Sequence, residues 1–164
     1  LLFAGGAFRD LDPVGGMVVY MIVAVLIGIS FGAIGISYTG ASIARVFFVT
    51  AAMFAGLSLF GYTTGKDLSG WGSFLWMGFL GLLLSIIVNF FLQSAALEFA
   101  FCTIGVIVFA GFTAYDTQMI RDAYSDRLSE SETKGLAISG ALDLYLDFVN
   151  LFRFMLYFLG SSDD

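Results

Sequence analysis

The sequence predicts an all-α integral membrane protein, a polytopic helical bundle in a single transmembrane domain over residues 1–164. Hydrophobic residues make up 59% of the chain and charged residues only 12%, about half of the roughly 25% usual in soluble domains. Uncharged stretches run for 32 residues at 13–44 and for 30 residues at 68–97, whereas a spanning helix needs only about 20. Barrel strands are disfavoured, because they alternate polar and apolar residues over about 10 positions and these stretches do not.

Five spans follow one another along the chain. The first and third are uncharged, the second carries Arg45 near its start, and the fourth carries Glu98 and Asp116 near its two ends. The fifth differs, because its acidic residues lie well inside the apolar stretch. Most of the connecting segments are short, which predicts that neighbouring helices pack antiparallel. The predicted spans are 16–38, 42–62, 71–93, 95–120 and 135–159.

Small residues four positions apart predict where the helices approach one another closely. Such pairs let two backbones come near each other where apolar burial supplies no driving force. Packing within the chain is the favoured interpretation, and a dedicated dimer face is the alternative. The pairs are Gly28 with Gly32, Ala51 with Ala55, and Ala52 with Gly56.

The distribution of basic residues predicts the orientation of the chain. Lys and Arg are enriched in cytoplasmic loops, and the loop 121–134 carries several while the turn after the third span carries none. With that loop in the cytoplasm, only Arg45 falls on the opposite side, and so does the C-terminus. The basic residues then in the cytoplasm are Arg9, Lys66, Arg121, Arg127 and Lys134.

The fifth span carries a polar stripe on one face. Asp143, Asp147 and Asn150 occur at i, i+4 and i+7, and these positions share one side of a helix. Phe154 continues the face as an apolar residue, so the stripe ends at Asn150. Because a stripe of this kind faces lipid only at a cost of several kcal/mol, the last helix is predicted to lie at the centre of the bundle.

Asp116 is predicted to meet one of these acids across the helix interface. Two carboxylates in contact at low dielectric do not both ionise cheaply, so such a pair shares one proton and titrates as a unit. A pair of this kind is a proton sensor, a relay or part of a cation site. The alternative is that Asp116 bonds backbone groups near its helix end, with Asp143 at the membrane interface. Arg153, further along the fifth span, is predicted to extend outward to the interface or to neutralise an acid on a neighbouring helix.

Several chemistries are excluded by composition. The chain has no histidine and one cysteine, Cys102, so imidazole catalysis, imidazole metal sites and an internal disulfide are not available. The net charge of −6 argues against nucleic acid as a partner. No permanently bound cofactor is expected. An intramembrane aspartyl hydrolase is disfavoured because the chain lacks the Gly–Asp motif of that class, and we expect no enzymatic activity.

Four segments carry a resemblance to a known family. The chain resembles the Bax inhibitor-1 family of membrane proteins, in its bacterial branch, over about residues 20–160. Each segment alone is weak, and the combination is specific. The segments are Tyr38–Arg45, Gly56–Thr64, Gly111–Gln118 with its Tyr–Asp–Thr–Gln motif, and Ala141–Phe152 with its Tyr–Leu–Asp–Phe motif.

The resemblance implies seven spans in the full family, with the last at the centre, of which about five are complete here. It implies a calcium leak pathway gated by pH through Asp116 and Asp147, which would also hold Ca²⁺ transiently as the permeant ion. Asp143, Asn150 and Arg153 would support this pair. The chain begins with Leu1, so we expect upstream sequence. It lacks the basic C-terminal tail of animal relatives, which favours a bacterial inner membrane.

Two functional hypotheses from different classes follow. The first is a pH-sensitive, calcium-permeable leak channel whose partners are the lipid bilayer, calcium ions and protons. The second is a non-conducting regulatory membrane protein that binds membrane proteases or cell-death factors, with the acids serving as structural contacts between helices. Flux through the purified protein distinguishes the two hypotheses.

Overall fold

A computed structural model describes residues 13–124 and 129–160, and these residues form five long helices. Each helix is long and apolar enough to cross a membrane, and the helices account for nearly all of the described chain. The all-α polytopic fold class predicted from the sequence is confirmed. The helices are α1 (Pro13–Ser37), α2 (Gly40–Thr63), α3 (Trp71–Leu92), α4 (Ala95–Ala123) and α5 (Glu130–Leu159).

Polar caps determine where the helices begin and end. The hydroxyl of Thr39 accepts the amide of Ser42 at 3.1 Å at the start of α2, and Ser94 caps α4 in the same way. These bonds satisfy amides that have no partner within the first helical turn. Gln93, in the left-handed region with φ of 48°, ends α3 and reverses the chain into α4.

Helix α5 begins earlier than the predicted span, at Glu130 rather than at residue 135. Ser129 and Glu132 form a reciprocal capping box there, in which each side chain accepts the other's backbone amide. A capping box stabilises a first turn outside the membrane, so the helix extends beyond the apolar stretch. Helix α4 likewise continues to Ala123, past the predicted end at residue 120.

Helices α4 and α5 form the centre of the bundle. Helix α5 packs against α1, α2 and α4, and α4 packs against α2, α3 and α5. The central position predicted for the last helix is confirmed, and α4 shares it. The buried face of α5 includes Leu142, Asp147, Leu151 and Phe154, whereas the other helices turn large apolar side chains outward. Among these exposed side chains are Phe48, Phe74, Phe90, Phe91 and Ile107, which suit a surface solvated by lipid.

Close helix packing occurs at glycines other than those expected. A Cβ on Gly28, Gly32 or Gly56 would meet no heavy atom of the described chain within 4 Å, so the predicted packing role of these glycines is wrong within residues 13–124 and 129–160. The backbone of α2 instead approaches that of α4 at Gly61, where a Cβ would overlap the carbonyl oxygen of Ala114. Spacing alone does not distinguish a glycine at an interface from one facing outward.

Candidate functional site: a buried aspartate pair between the central helices

The structure brings Asp116 of α4 and Asp147 of α5 together. Their carboxyl groups lie within hydrogen-bonding contact of each other, and Asp147 is completely buried, with 0% of its surface exposed. The antiparallel packing of α4 and α5 produces this contact. Asp116, a few residues before the end of α4, meets Asp147, which lies deep within α5. The functional role of the pair stays a prediction.

The surroundings of the pair would favour a proton shared between the two carboxyl groups. Both carboxylate oxygens of Asp147 and the Oδ2 atom of Asp116 are buried without a donor among the described residues. Ionised carboxylates only accept hydrogen bonds, so two ionised groups cannot bond each other. The contact becomes a hydrogen bond when one of the two carries a proton, and that state avoids two adjacent charges in a dry interior.

Asp143 is a third acid near the pair. It lies one turn before Asp147 on α5 and within the range of charge interaction with both Asp116 and Asp147. It is half-buried, unlike Asp147. The structure therefore places Asp143 beside the pair, where its charge adds to the cost of ionising the other two acids.

Asn150 and Arg153 lie apart from the carboxyl contact. The Nδ2 atom of Asn150 donates to the carbonyl of Leu146 in its own helix at 2.8 Å, and Arg153 is exposed. Both side chains line a separate cavity with Glu98. The stripe predicted on α5 is thus divided, with Asp143 and Asp147 on the acid pair's side and Asn150 at the cavity, which Arg153 also lines.

Aromatic rings hold α2 against α5 beside the pair. Phe148, adjacent to Asp147, is contacted edge-on by Phe47 and by Phe54, with ring centroids 5.5 Å apart in each case. Thr50 lies between these two rings along α2, is fully buried, and its hydroxyl has no partner among the described residues. Thr50 is not among the site residues that the sequence pattern predicts. The sequence feature that could have indicated it is a hydroxyl side chain in the middle of the second apolar span.

The loop between α2 and α3 is bound to α4 close to the pair. The side chain of Gln118, only 1% exposed, accepts the amide of Leu68 at 2.7 Å and donates to the carbonyl of Lys66 at 2.9 Å. In the same loop the backbone amide of Ser69 donates to Asp67, which lowers the pKa of that exposed carboxyl. Gln118 lies two residues after Asp116, so the loop is attached at the same end of α4 as the acid but on a different face of the helix.

Removing the Gln118 amide is expected to release this loop. Gln118→Leu leaves the amide of Leu68 and the carbonyl of Lys66 without partners, and each unsatisfied buried group costs about 1–3 kcal/mol. Trypsin cleavage after Lys66, followed by mass spectrometry, should therefore become faster. Thr117→Val is the matched control, because Thr117 bonds only the carbonyl of Thr113 in its own helix. Equal cleavage rates in Gln118→Leu and the wild type would contradict the assignment.

The site does not have the ligand set of a permanent metal centre. Within the described residues, no group of three or more His, Cys, Asp or Glu side chains is placed to hold a metal ion. Ca²⁺ takes six to eight oxygen ligands, whereas Asp116 and Asp147 supply carboxylates from two residues. Any calcium ion at the pair would keep part of its water shell.

These features define a class of protein, a polytopic helical membrane protein with a dicarboxyl contact between its central helices. A sequence model of the family described as "Inhibitor of apoptosis-promoting Bax1" matches residues 1–164. The chain belongs to this family, the Bax inhibitor-1 family, as the motifs around Asp116 and Asp147 predicted.

Curated relatives match most of the chain. The inner membrane protein YbhL of Escherichia coli K12 is 48% identical over 145 residues, which are 87% of this chain and 62% of YbhL. An uncharacterized protein of Caulobacter vibrioides is 47% identical over 163 residues, 99% of this chain and 65% of the relative. Protein RP147 of Rickettsia prowazekii is 42% identical over 147 residues, 90% of this chain and 62% of the relative. The chain thus spans less than two thirds of the length of these relatives.

Proposed function

We propose that this protein is a pH-sensitive, calcium-permeable leak channel of a bacterial inner membrane, gated by Asp116 and Asp147. The observation that carries the proposal is the contact between the carboxyl groups of the half-buried Asp116 and the fully buried Asp147 at the interface of the two central helices. Polar and ionisable residues at membrane depth are expensive and mark ion or proton pathways. A structural contact between α4 and α5 does not need two acids.

The proposed gate depends on the proton shared by the pair. With the proton present, Asp116 and Asp147 bond each other and hold α5 against α4. When the proton leaves, two like charges face each other in a low-dielectric site, and their repulsion weakens the helix contact. Asp143 on α5 and Tyr115 on α4 are the neighbouring titratable groups whose charge interaction reaches the acids. The ionised carboxylates then attract Ca²⁺, a hard cation that prefers oxygen ligands.

The proposed orientation places the Gln118-bound loop in the cytoplasm. Lys66 and Arg121 lie at the same end of the bundle, because Gln118 bonds Lys66 and Arg121 donates to the carbonyl of Tyr62. A shared basic end is typical of the cytoplasmic side, and the turn 93–94 then faces the opposite side. Arg9 and Arg127, which also entered this prediction, lie outside the described residues, as does the C-terminus.

Calcium flux into proteoliposomes containing the full-length protein tests the proposal. Across a pH range spanning neutrality, Asp116→Asn and Asp147→Asn are each expected to lose the pH dependence and to change the flux by about tenfold, the effect of ~1.4 kcal/mol. Asp122→Asn is the matched control on α4, because Asp122 pairs with Arg121 at the surface. It should leave the flux unchanged.

Two outcomes would overturn the channel proposal. Unchanged flux and pH dependence in both pair variants would show that the two acids do not gate the flux. A purified wild-type protein without flux, which instead co-purifies with a stoichiometric membrane partner, would favour the non-conducting regulatory protein. In that case the carboxyl contact would serve helix packing alone.

A further inference from the structure

A cavity of about 340 Å³ lies at the end of the bundle opposite the Gln118-bound loop. Helices α3, α4 and α5 form most of its wall, and Tyr38, at the end of α1, also lines it. Its polar lining includes Glu98, Asn150 and Arg153. With about 30 Å³ for each water molecule in the liquid, the cavity has room for several.

The charges in this cavity favour water over lipid as its content. Glu98 of α4 and Arg153 of α5 line it together, and both lie within the range of charge interaction with the Cys102 thiol. Charged side chains near hydrocarbon cost several kcal/mol unless water or a partner solvates them. Glu98 is half-buried while Arg153 is exposed, so the carboxylate is the more enclosed of the two opposite charges.

The cavity ends close to the aspartate pair. Asn150, in its lining, lies three residues after Asp147, a rise of about 4.5 Å along α5. Asp147 itself is fully buried and does not line the cavity. An apolar layer therefore separates the two. It includes Leu151, one turn after Asp147 on α5, and Phe112, one turn before Asp116 on α4, which are both buried core residues that do not line the cavity.

Phe154 belongs to the wall of the cavity, on the side of this layer away from Asp147. Its ring lies 5.9 Å from that of Phe109, measured between centroids. It also rests on Gly105, where a Cβ would lie 2.6 Å from a ring carbon. Between this wall and Asp147 lies Leu151, which has none of its surface exposed. Apolar constrictions of this kind block ions by excluding water.

We propose that this cavity is an aqueous access chamber for small hydrated cations, with Glu98 as its attracting charge and Leu151 as the apolar barrier between the chamber and Asp147. The inference rests on the proposed function, because it describes how an ion reaches the pair from the side opposite the Gln118-bound loop. It adds to the proposed gate an entry route for the ion and two residues that act along this route.

Cysteine accessibility tests the chamber without measuring flux. In a Cys102→Ser background of the full-length protein in membranes, Asn150→Cys reports on the chamber and Asp147→Cys on the position behind the barrier. The probe is a cationic, membrane-impermeant methanethiosulfonate added from the side of the 93–94 turn. Asn150→Cys should react readily, and Asp147→Cys about tenfold or more slowly, which corresponds to ~1.4 kcal/mol.

Truncating Leu151 should expose the position behind the barrier. Leu151→Ala, combined with Asp147→Cys, is expected to raise the modification rate about tenfold, and Leu151→Val serves if the alanine variant does not fold. Phe158→Ala is the matched control on α5, because Phe158 is exposed and does not line the cavity. Glu98→Gln should slow the cationic reagent at Asn150→Cys while leaving a neutral reagent unaffected.

Three results would overturn the inference. Protection of Asn150→Cys from the aqueous reagent, with reaction towards a lipophilic maleimide, would show a cavity filled by lipid. An unchanged modification rate at Asp147→Cys after truncation of Leu151 would show that Leu151 is not the barrier. Equal rates of cationic modification at Asn150→Cys with and without Glu98→Gln would show that Glu98 does not attract cations. An accessible chamber without calcium flux would instead overturn only the proposed function, so the two failures are distinguishable.

Discussion

Replacing both Asp116 and Asp147 with asparagine is expected to flatten the pH dependence of the protein's thermal stability. If the folded pair retains one proton that the unfolded chain releases, stability falls as pH rises, by about 1.4 kcal/mol per pH unit for one proton. An asparagine pair keeps a hydrogen bond across the interface, because each amide both donates and accepts. That bond needs no shared proton, so its strength does not change with pH.

Thermal unfolding in detergent at several pH values measures this effect. The wild type should lose stability as pH rises through neutrality, and the double variant should not follow it. Asp122→Asn removes an exposed acid from the same helix and should keep the slope of the wild type. A double variant with the wild-type slope would mean that the contact holds no proton, and the proposed gate would lose its physical basis.

Adding one methyl group at Gly61 is expected to destabilise the bundle strongly. The Cβ of Gly61→Ala would overlap the carbonyl oxygen of Ala114, and this neighbour is backbone within α4, so it has no rotamer through which to move away. Overpacking typically costs about 1–3 kcal/mol, and a contact between two backbones lies at the upper end. Because α4 carries Asp116, a displaced α4 should also disturb the aspartate pair.

Gly56→Ala on the same helix is the matched control for this substitution. A Cβ at Gly56 meets no heavy atom of the described chain within 4 Å, so the same chemical change should have little effect on folding. The melting temperature in detergent and the yield of monodisperse protein should fall for Gly61→Ala only. Equal stability of the two variants would contradict the close approach of α2 and α4.

Membrane insertion and helix content could be predicted from local features of the chain. The transfer of a helix into lipid depends on its own side chains, so the long uncharged stretches predicted five helices without reference to their neighbours. The bounds of the helices could not be predicted from apolar character alone, because the Ser129–Glu132 capping box starts α5 outside the apolar stretch. The cost of exposing Asp147 to lipid also predicted a central last helix, which the structure confirms.

Contacts between helices depended on the tertiary structure. The meeting of Asp116 with Asp147 follows from the register of α4 against α5, and a polar stripe does not specify which partner it faces. The same limit explains why Gly28 and Gly32, chosen by spacing, meet nothing in the described chain, while Gly61 contacts α4.

The sequence by itself determined the class of fold, the family and the acids at membrane depth, because each of these resides in the chemistry of single segments. The pairing of Asp116 with Asp147 was implied by the family resemblance, and the tertiary structure supplied the register of α4 against α5 that produces it. Only the tertiary structure decided that Asn150 and Arg153 belong to a separate cavity. The physical reason is that helix register and rotation come from the fit of side chains on several helices at once, which no single segment contains.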